Sequence, residues 1–541
     1  RKYKEGDRVT DWENVERGAK IAGFFDARII QLQKRYAQQI LQHKNPYTGL
    51  RYVDDPAIVS YKLINEAMLY YIGTQFGLSK PYVDQLDQLF NKWLTKKYGS
   101  RAALDKAWTD KYGRQDLKSF EDPRKGTVAR ADTPLKYQRS GSEKVEPNRL
   151  NDTMRFYYDV QDGYFKEMEA YLKKLGCRVP ISGSNHWVNV WADVKSNAEL
   201  DYIDRHRYWD HPQFGYGTKV VFENQAMVKN PADALPNNFA FYKVAGKPFV
   251  ISEWNACFPN EYRAEGPLIM AAYANHQDWD GVLQFSFNQA AWSAPMSDNF
   301  DISEWPNVWS QWQAAALIFH RGDVAEAKYT YKQTYGESEL YGPIFEDSPV
   351  ADEPILPLVS KTEIDFGEQG VAKPTAGYTG QFCKPEEKTI RSDTQELEWN
   401  YNKGLFSIDT LNTQAVVGFI KGNSVKLQDV TFTSNNEFAA ISLTSTDGKP
   451  IRLSSRLLLT ASARIENSGQ KYVETKTQLK EVGEKPILVE GVDAKIFLFR
   501  KPSAVYSLDI NGNRKNTIMK ANGSSFNIRA ADQAFFYEIV F

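Results

Sequence analysis

Several features that would direct a chain of 541 residues to other classes of protein are scarce or missing. The three cysteines, Cys177, Cys257 and Cys383, are odd in number and far apart, so they predict neither a disulfide framework nor a CxxC metal site. The six histidines form no HExxH or His-x-His cluster, and no GxGxxG loop stands at a strand–helix junction. We therefore expect a chain that uses no metal and no cofactor.

Charge and hydropathy argue against two further classes of protein. The formal net charge is −1 and no block of like charge stands out, which argues against nucleic acid as a partner. No run of about 18 apolar residues occurs, so we expect no transmembrane helix. What the chain does have is length for about two to four domains and an aromatic content of 13%, with 13 Trp and 30 Tyr.

Strand and helix patterns alternate over the first 320 residues. Residues 26–43 predict an amphipathic helix with Asp26 as N-cap, and residues 152–175 predict a second. Alternation of this kind favours a parallel sheet, with residues 67–150 as a helical insertion. The predicted strands are the run that ends at Glu66, then Cys177–Ser182, Leu200–His206, Pro248–Ser252 and Gly281–Phe287.

The pattern changes after residue 320. Residues 321–356 include the stretch Glu346–Pro354, whose composition is typical of a linker. From 357 to 541 short β-type runs recur, separated by turns such as Asp447-Gly448 and Asn511-Gly512, and predict an all-β region built as a sandwich. The predicted units are therefore a domain over 1–320, a linker over 321–356 and a β region over 357–541.

Two glutamates stand at the ends of predicted strands. Glu66 follows the apolar run Ala57–Ile64 as Asn65-Glu66, and Glu253 follows Phe249–Ser252. Reactive groups of (β/α)8 barrels come from the C-terminal ends of strands, and a glycosidase needs two carboxyl groups that face each other across a glycosidic bond. Asn-Glu alone is a weak signal, since it also occurs at positions 260–261 and 436–437, and a helix N-terminal acid is the alternative interpretation of Glu66.

Four segments carry a resemblance to known enzymes. Pro56-Ala57-Ile58-Val59 with Ile64-Asn65-Glu66 resembles the fourth-strand acid/base segment of clan A glycoside hydrolases, and Val250-Ile251-Ser252-Glu253-Trp254 resembles their seventh-strand nucleophile segment. His206-Arg207-Tyr208 is similar to the His-x-Tyr of the cellulase and mannanase family five. The segment from Phe90 to Trp108 is similar to one in family forty-two β-galactosidases.

This resemblance implies an α/β plus all-β chain: a (β/α)8 TIM-type barrel lacking its first strands here, followed by the C-terminal β-sandwich region. It implies a retaining glycoside hydrolase of β-linked glycans, with Glu253 as nucleophile and Glu66 as acid/base. Burial and a nearby like charge would raise the pKa of such an acid. Tyr208 would hydrogen-bond Glu253, Asn65 would bind the sugar 2-hydroxyl, and His206 would assist or be a plain strand-end histidine.

Further candidates for sugar contact follow the other predicted strand ends. The eighth-strand tryptophan of the clan is displaced or absent, since the strand reads Gln284-Phe285-Ser286-Phe287. For each tryptophan, core packing is an equally good interpretation. The candidates are Asn185, His186, Trp187, Trp254, Asn255 and Trp292.

The expected partners follow from the same resemblance. Only 65 residues precede Glu66, too few for three strand–helix units, so a separate N-terminal polypeptide is a candidate to complete the barrel. The substrate is an oligo- or polysaccharide, and the oligomeric state stays open. Because polymers lie outside cells, we expect a secreted or periplasmic protein, although no signal peptide is visible. The alternative function is a non-catalytic carbohydrate-binding protein on the same scaffold.

Overall fold

A computed structural model of the chain divides into a helix-rich part up to about residue 360 and a strand-rich part after it. None of the helices in the described residues is both long and apolar enough to cross a membrane. The structure describes residues 3–15, 18–71, 77–131, 147–186, 190–214, 220–287, 295–342, 355–368, 370–372, 378–520 and 523–541.

The helices follow the sequence patterns closely. Helix Ala27–Leu41 begins where predicted, and the Asp26 carboxylate accepts a hydrogen bond from the backbone N–H of Ile29 at 2.9 Å, the usual N-cap contact. The predicted insertion after Glu66 contains two helices packed on the long helix Pro147–Lys174 through buried aromatic rings. The helices are Ala19–Ala22, Ala27–Leu41, Lys80–Tyr98, Arg101–Ala107, Pro147–Lys174, Trp191–Ala198, Leu235–Ala240, Gly266–His276, Pro306–Trp309, Trp312–Arg321, Glu337–Tyr341 and Leu356–Val359.

Short parallel strands form the sheet layer of the helix-rich part. β1 pairs with β2, and β3, β6 and β7 form a second parallel group in that order. β4 and β5 are a small antiparallel hairpin. All five predicted strands are present in the predicted order, which confirms the predicted α/β class of this part. The strands are β1 (Tyr61–Lys62), β2 (Ile181–Ser182), β3 (Ile203–Trp209), β4 (Gln213–Phe214), β5 (Val220–Val221), β6 (Phe249–Ala256) and β7 (Gly281–Gln284).

The two parallel groups end at β1 and at β7, and no strand pairing joins β2 to β3 in the described residues. In the described part of the chain, β1 pairs with no strand except β2, and β7 with none except β6. Apolar side chains stand beside both edges: Val59 is 77% exposed and Leu283 is 54% exposed. Closed barrels have no such edges. The prediction that further strands complete the barrel stays a prediction.

The strand-rich part consists mainly of two antiparallel sheets, which confirms the all-β prediction. A ten-stranded sheet and the four-stranded sheet β16-β17-β24-β27 share one core, in which Phe432 and Ile496 of the smaller sheet meet Ile441 and Leu459 of the larger. Face-to-face packing of this kind is that of a sandwich. The strands are β8 (Thr330–Tyr335), β9 (Lys361–Phe366), β10 (Gly370–Ala372), β11 (Cys383–Lys384), β12 (Thr389–Arg391), β13 (Leu397–Asn400), β14 (Leu405–Asp409), β15 (Thr413–Gly418), β16 (Ser424–Lys426), β17 (Val430–Ser434), β18 (Ala439–Ser445), β19 (Arg456–Ser462), β20 (Ile465–Ser468), β21 (Lys471–Tyr472), β22 (Leu479–Glu481), β23 (Glu484–Val489), β24 (Ala494–Leu498), β25 (Ala504–Leu508), β26 (Arg514–Lys520), β27 (Ser525–Ile528) and β28 (Phe536–Val540).

The segment between the two parts contains regular secondary structure. Within residues 321–356, predicted as a linker, β8 and helix Glu337–Tyr341 are regular structure, and β8 pairs in parallel with β9. Residues 343–354 lie outside the described residues. The limits of the predicted domains stay a prediction, but the chain between 330 and 341 is folded because its apolar side chains, such as Tyr335 and Leu340, are buried against the helix-rich part.

A buried carboxyl in the helix-rich part gives a testable pH effect. Glu265 is fully buried and accepts hydrogen bonds from the backbone N–H groups of Met227, at 2.6 Å, and Val228, at 3.1 Å. Burial raises the pKa of Glu265 to about 8 from its ordinary value of 4.5. The folded protein therefore holds a proton that the unfolded chain releases, so this group favours folding most below pH 4.5 and loses that effect as the pH rises to about 8.

We predict that Glu265→Gln removes part of the pH dependence of stability. Thermal unfolding followed by circular dichroism between pH 4.5 and 8 should show the wild type losing stability relative to the variant as the pH rises. The control is Glu437→Gln, since Glu437 is exposed on the surface. Parallel curves for wild type and Glu265→Gln would contradict the prediction.

Candidate active site

One irregularity in the sheet decides where the second glutamate lies. β3 and β6 pair in regular register up to Arg205 and Ile251, and then His206 pairs with Glu253, so Ser252 is an extra residue on β6. A bulge interrupts the alternation of side chains between the two faces of a strand. Consequently two consecutive residues face the same ring: Ser252 Oγ lies 2.8 Å from His206 Nε2, and Glu253 Oε2 lies 3.3 Å from His206 Nδ1.

Alternation along β3 brings three polar side chains to the same face of the sheet. Tyr208 donates its hydroxyl hydrogen to Glu253 Oε2 at 2.6 Å. Burial, and then the bond to Glu253, raise the pKa of Tyr208 far above its ordinary value, so its hydroxyl stays a donor. Asp204 accepts from Ser252, at 3.0 Å from the backbone nitrogen and 2.7 Å from the hydroxyl oxygen. Tyr208 thus holds Glu253, and Asp204 holds the neighbouring Ser252.

Glu66 reaches the site from the end of β1. Its backbone has φ +49°, in the left-handed region that residues other than glycine seldom adopt. The backbone N–H of Glu66 donates to Asn185 Oδ1 at 2.7 Å, which holds this conformation. Such backbone strain tends to persist at functional sites, where surrounding contacts fix it.

His206 lies between the two carboxylates. Its Nδ1 is 2.8 Å from Glu66 Oε1 and 3.3 Å from Glu253 Oε2, and these atoms of the three side chains lie within 4.8 Å of one another. The imidazole is almost fully buried, whereas the Glu66 and Glu253 side chains are 25% and 17% exposed. The carboxylates are therefore open to a ligand. Among the described residues this is also the one group of His, Cys, Asp or Glu close enough to hold a metal ion.

The electrostatics of Glu66 differ from the sequence-based expectation. Burial acts to raise the pKa of Glu66, but the hydrogen bond and charge of His206, together with Lys20 and Lys62, outweigh it and lower the pKa below its ordinary value. We expected a raised pKa from burial and a neighbouring carboxylate. The reason for the difference is that cationic and donor groups face Glu66.

Two of the predicted asparagines belong to this cluster. Asn185 is buried and donates through Nδ2 to Asn65 Oδ1 at 3.3 Å, and Asn65 is exposed to solvent. His186 is fully buried beside them, and burial lowers its pKa to about 3, so it is neutral. Asn65 is therefore in reach of a ligand, whereas His186 belongs to the packing beneath.

The two residues that follow Glu253 are buried. The Trp254 ring is buried against helix Gly266–His276, where a Cβ on Gly266 would come within 2.9 Å of the ring, so core packing is its role. Asn255 is buried and donates to the carbonyl oxygens of Phe285, at 2.6 Å, and Phe300, at 2.8 Å. Trp254 is turned away from Glu253, because adjacent residues of a strand face opposite sides of the sheet. Asn255 lies on the same side as Glu253, but it is fully buried and these two carbonyl oxygens occupy its amide. Trp187 and Trp292 lie outside the described residues.

An aromatic group beside Glu253 was not found from the sequence. The Tyr208 ring lies 4.8 Å from that of Phe300, which also contacts His211 at 5.5 Å and Phe285 at 6.0 Å. Phe285 follows the end of β7, the place at which the sequence predicted that the tryptophan of the clan is displaced or absent. Phe300 carries no local signal, because it comes from a loop far along the chain.

Three polar residues beneath the carboxylates were also missed. Lys62 contacts His206 Nε2 and Ser252 Oγ at 3.3 and 3.1 Å, and Asp204 binds Ser252. The sequence contains a weak indication of a role for each of the three. Lys62 is the one charged residue in the apolar run before Asn65, Ser252 adjoins Glu253, and Asp204 stands two residues before His206, on the same face of a strand.

A known protein family matches the part of the chain that carries this site. The family model of glycoside hydrolase family 42, described as β-galactosidase, matches residues 12–294, more than half of the chain. The chain belongs to glycoside hydrolase family 42. As a member of that family it is a β-glycoside hydrolase, and the predicted resemblance to clan A glycoside hydrolases is confirmed. No curated protein sequence matches this family 42 chain significantly.

The solved structures that match this chain are distant from it in sequence. A β-galactosidase from Rahnella sp. R3 is 12% identical over 96% of this family 42 chain and 82% of its own, with a TM-score of 0.43. A β-galactosidase from Bacillus circulans sp. alkalophilus is 13% identical over 95% and 82%, with a TM-score of 0.41. An endo-β-1,4-mannanase from Thermotoga petrophila is 12% identical over 82% and 70%, with a TM-score of 0.33.

We predict that His206→Leu shifts the pH profile of hydrolysis. The substitution removes the hydrogen-bond donor and the charge that lower the pKa of Glu66, so this pKa should rise, and the alkaline limb of kcat/KM should move to higher pH because the reaction needs protonated Glu66. The measurement is a pH series with an aryl β-glycoside. His320→Leu is the control, because His320 is exposed at the end of helix Trp312–Arg321. An alkaline limb that stays in place or moves down would contradict the prediction.

Proposed function

We propose that this family 42 enzyme is a retaining β-glycosidase in which Glu253 is the nucleophile and Glu66 the acid/base. The observation that carries the proposal is the pair itself: carboxylate oxygens of Glu66 and Glu253 lie within 4.8 Å of each other across an opening to solvent. Retaining glycosidases have carboxyl groups about 5–5.5 Å apart, whereas inverting ones need about 6.5–9.5 Å to place a water molecule.

The reaction proceeds in two displacements. Glu253 attacks the anomeric carbon while Glu66 gives its proton to the leaving oxygen, which forms a covalent glycosyl-enzyme. Glu66 then takes a proton from water, which attacks the same carbon and releases Glu253. The Tyr208 hydroxyl orients Glu253 for attack, because it donates to Oε2 at 2.6 Å and keeps one carboxylate oxygen occupied.

The lowered pKa of Glu66 fits this cycle once a sugar is bound. In the free site the cationic and donor groups facing Glu66 outweigh burial. A sugar that covers the opening removes water from the carboxylate, which raises the pKa of a buried acid. We therefore expect the highest activity on the acidic side of neutrality, because Glu66 must carry a proton before it can give one to the leaving oxygen.

The first substrates to test are β-galactosides, since the family description names a β-galactosidase. The rings of Tyr208, Phe285 and Phe300 offer apolar surface beside Glu253 for the face of a sugar. Asn65 is exposed next to Glu66 and offers an amide to a sugar hydroxyl. Neither feature distinguishes one sugar from another, so gluco- and mannosides belong in the same screen.

We predict that Glu253→Ala lowers the hydrolysis of an aryl β-glycoside by at least about 1,000-fold, because the nucleophile is gone. Sodium azide should restore turnover of a substrate with a good leaving group, since azide fits the space left by the carboxylate. The product should be the α-glycosyl azide, identified by proton NMR, because only one displacement now occurs.

The matched control for this substitution is Glu437→Ala. Glu437 also follows an asparagine, but it lies on the surface with Lys421 as its ion-pair partner at 3.1 Å. It should keep wild-type activity. Near-normal activity of Glu253→Ala, or rescue that yields the β-azide, would reject the assignment of Glu253. Saccharide binding by the wild type without release of reducing ends would instead favour the non-catalytic alternative.

We also propose that additional polypeptide pairs with the open edges of β1 and β7 to complete the barrel. The support is that β1 and β7 each pair on one side only in the described part of the chain, beside the exposed side chains of Val59 and Leu283. A partner that adds parallel strands would cover both.

This proposal predicts that Leu283→Asp weakens the association with a strand-supplying polypeptide and lowers activity with it. Native mass spectrometry of the protein isolated from its source measures the association. Leu453→Asp, at another exposed leucine, is the control. Full activity of a lone 541-residue species would contradict the proposal.

A further inference from the structure

A groove opens beside the candidate nucleophile, between the end of β3, residues 221–225 and helix Leu235–Ala240. Its volume is about 500 Å³. Small-molecule sites of proteins have volumes of about 300–1,000 Å³. Tyr208, whose hydroxyl donates to Glu253, is one of the residues that line the groove. The groove is therefore large enough for a ligand and begins next to the site.

His211 connects the groove with the aromatic group beside Glu253. It lines the groove, and the centroid of its ring lies 5.5 Å from that of Tyr208 and 5.5 Å from that of Phe300. The rings of Tyr208 and Phe300 are themselves 4.8 Å apart. A sugar chain that extends from Glu253 past these two rings would meet His211 and then the groove.

Hydrogen bonds within the protein hold the walls of the groove together. The Asp210 carboxylate accepts from the backbone N–H groups of Glu223, at 2.6 Å, and Asn224, at 2.8 Å. The ring N–H of Trp209 donates to the carbonyl oxygen of Gln225 at 2.8 Å. These contacts join residues 223–225 to the end of β3. A site that is formed before its ligand arrives loses less free energy through ordering when the ligand binds.

Two charged side chains of the groove are available to a ligand. Arg207 is half-buried and Glu223 is exposed, and neither side chain makes a hydrogen bond or an ion pair among the described residues. A guanidinium group only donates, through five N–H groups, whereas an ionised carboxylate only accepts. A ligand that satisfies both must donate as well as accept, which is what a hydroxyl group does.

The charges in the groove argue against an anionic ligand. The carboxylates of Asp210, Glu223 and Asp233 line it together with the guanidinium of Arg207, so a phosphate, sulfate or carboxylate would meet an excess of negative charge. Asp233 also accepts a hydrogen bond from the amide of Asn230 at 2.7 Å. The ligand that fits is therefore uncharged and rich in hydroxyl groups, as a neutral sugar is.

We propose that this groove binds further sugar residues of a neutral β-linked oligosaccharide whose scissile bond lies between Glu66 and Glu253. Arg207 donates to sugar hydroxyl groups, Glu223 accepts from them, and His211 lies along the path of the chain. The place of the scissile bond rests on the proposed function, whereas binding in the groove does not depend on turnover. The preferred substrate is accordingly an oligosaccharide longer than two residues.

The first test measures binding without cleavage. Glu253→Ala of the full chain is titrated by isothermal calorimetry with β-linked tetrasaccharides of galactose, glucose and mannose. We expect at least one of them to bind. Adding Arg207→Met, or separately Glu223→Ala, should weaken its binding by about tenfold, because each substitution removes hydrogen bonds to the ligand.

Two further variants make the test specific. Arg178→Met removes an exposed arginine just before β2, at the opposite end of the strands from the site, and should leave the affinity unchanged. Arg207→Lys keeps the positive charge and should recover part of the binding. Glu223→Ala alters an exposed side chain, so it answers the question should Arg207→Met fail to fold.

Kinetics of otherwise wild-type enzyme add a second readout. The value of kcat/KM should rise by about tenfold from the disaccharide to the tetrasaccharide, and Arg207→Met or Glu223→Ala should remove that rise, mainly through KM. Both variants should hydrolyse an aryl β-glycoside of a single sugar within about twofold of the wild-type rate, since that substrate does not reach the groove.

Three outcomes would overturn the proposal. They are the absence of binding by all three tetrasaccharides, a wild-type kcat/KM that does not depend on chain length, and an equal loss on the aryl glycoside and the tetrasaccharide, which would indicate a general structural effect. Failure of azide to rescue Glu253→Ala bears on the function alone, because the calorimetric result needs no turnover.

Discussion

The pairing of β3 with β6, interrupted at Ser252, is the constraint on which the site depends. In an unbroken strand Ser252 and Glu253 would face opposite sides of the sheet. The extra residue lets Ser252 bind Asp204 below while Glu253 meets Tyr208 and His206. The same shift sends Trp254 into the core against helix Gly266–His276. One inserted residue thus separates the partly exposed carboxylate of Glu253 from the buried ring of Trp254.

Around this constraint the site is arranged in two tiers. The upper tier is the pair of partly exposed carboxylates, and the lower tier consists of the partly exposed Lys62 and the buried Asp204 and Asn185. The ring of His206 connects them, because Nδ1 faces the carboxylates and Nε2 lies near Lys62 and Asn185. Burial acts to raise the pKa of Glu66, but His206, Lys20 and Lys62 together lower it.

The strand-rich part supports the loop that carries Phe300. The side chain of Asn467 accepts from the backbone N–H of Met296 at 3.0 Å and donates to its carbonyl oxygen at 2.8 Å, as a neighbouring strand would. Gln311 donates to Ser462 at 2.8 Å, and this contact is buried. Since Phe300 follows Met296 closely, strand β20 of the strand-rich part helps to hold the loop that carries Phe300. This is a physical reason for the two parts to stay together.

The order of five parallel strands, the capped helix at Asp26 and the positions of Glu66, His206, Tyr208 and Glu253 could be predicted from the sequence. Hydrophobic periodicity, capping and strand-end position are local properties, and they are visible along a chain. The resemblance to clan A enzymes added the roles of these residues.

Only the tertiary structure decided the environment of the pair. The bulge at Ser252, the burial of Trp254 and the approach of Phe300 depend on strand register and on contacts between distant residues, which no local pattern contains. The lowered pKa of Glu66 has the same origin, because burial and opposing charges act through space. The sequence by itself therefore determined which residues could perform the chemistry, and the fold decided their charge state and orientation.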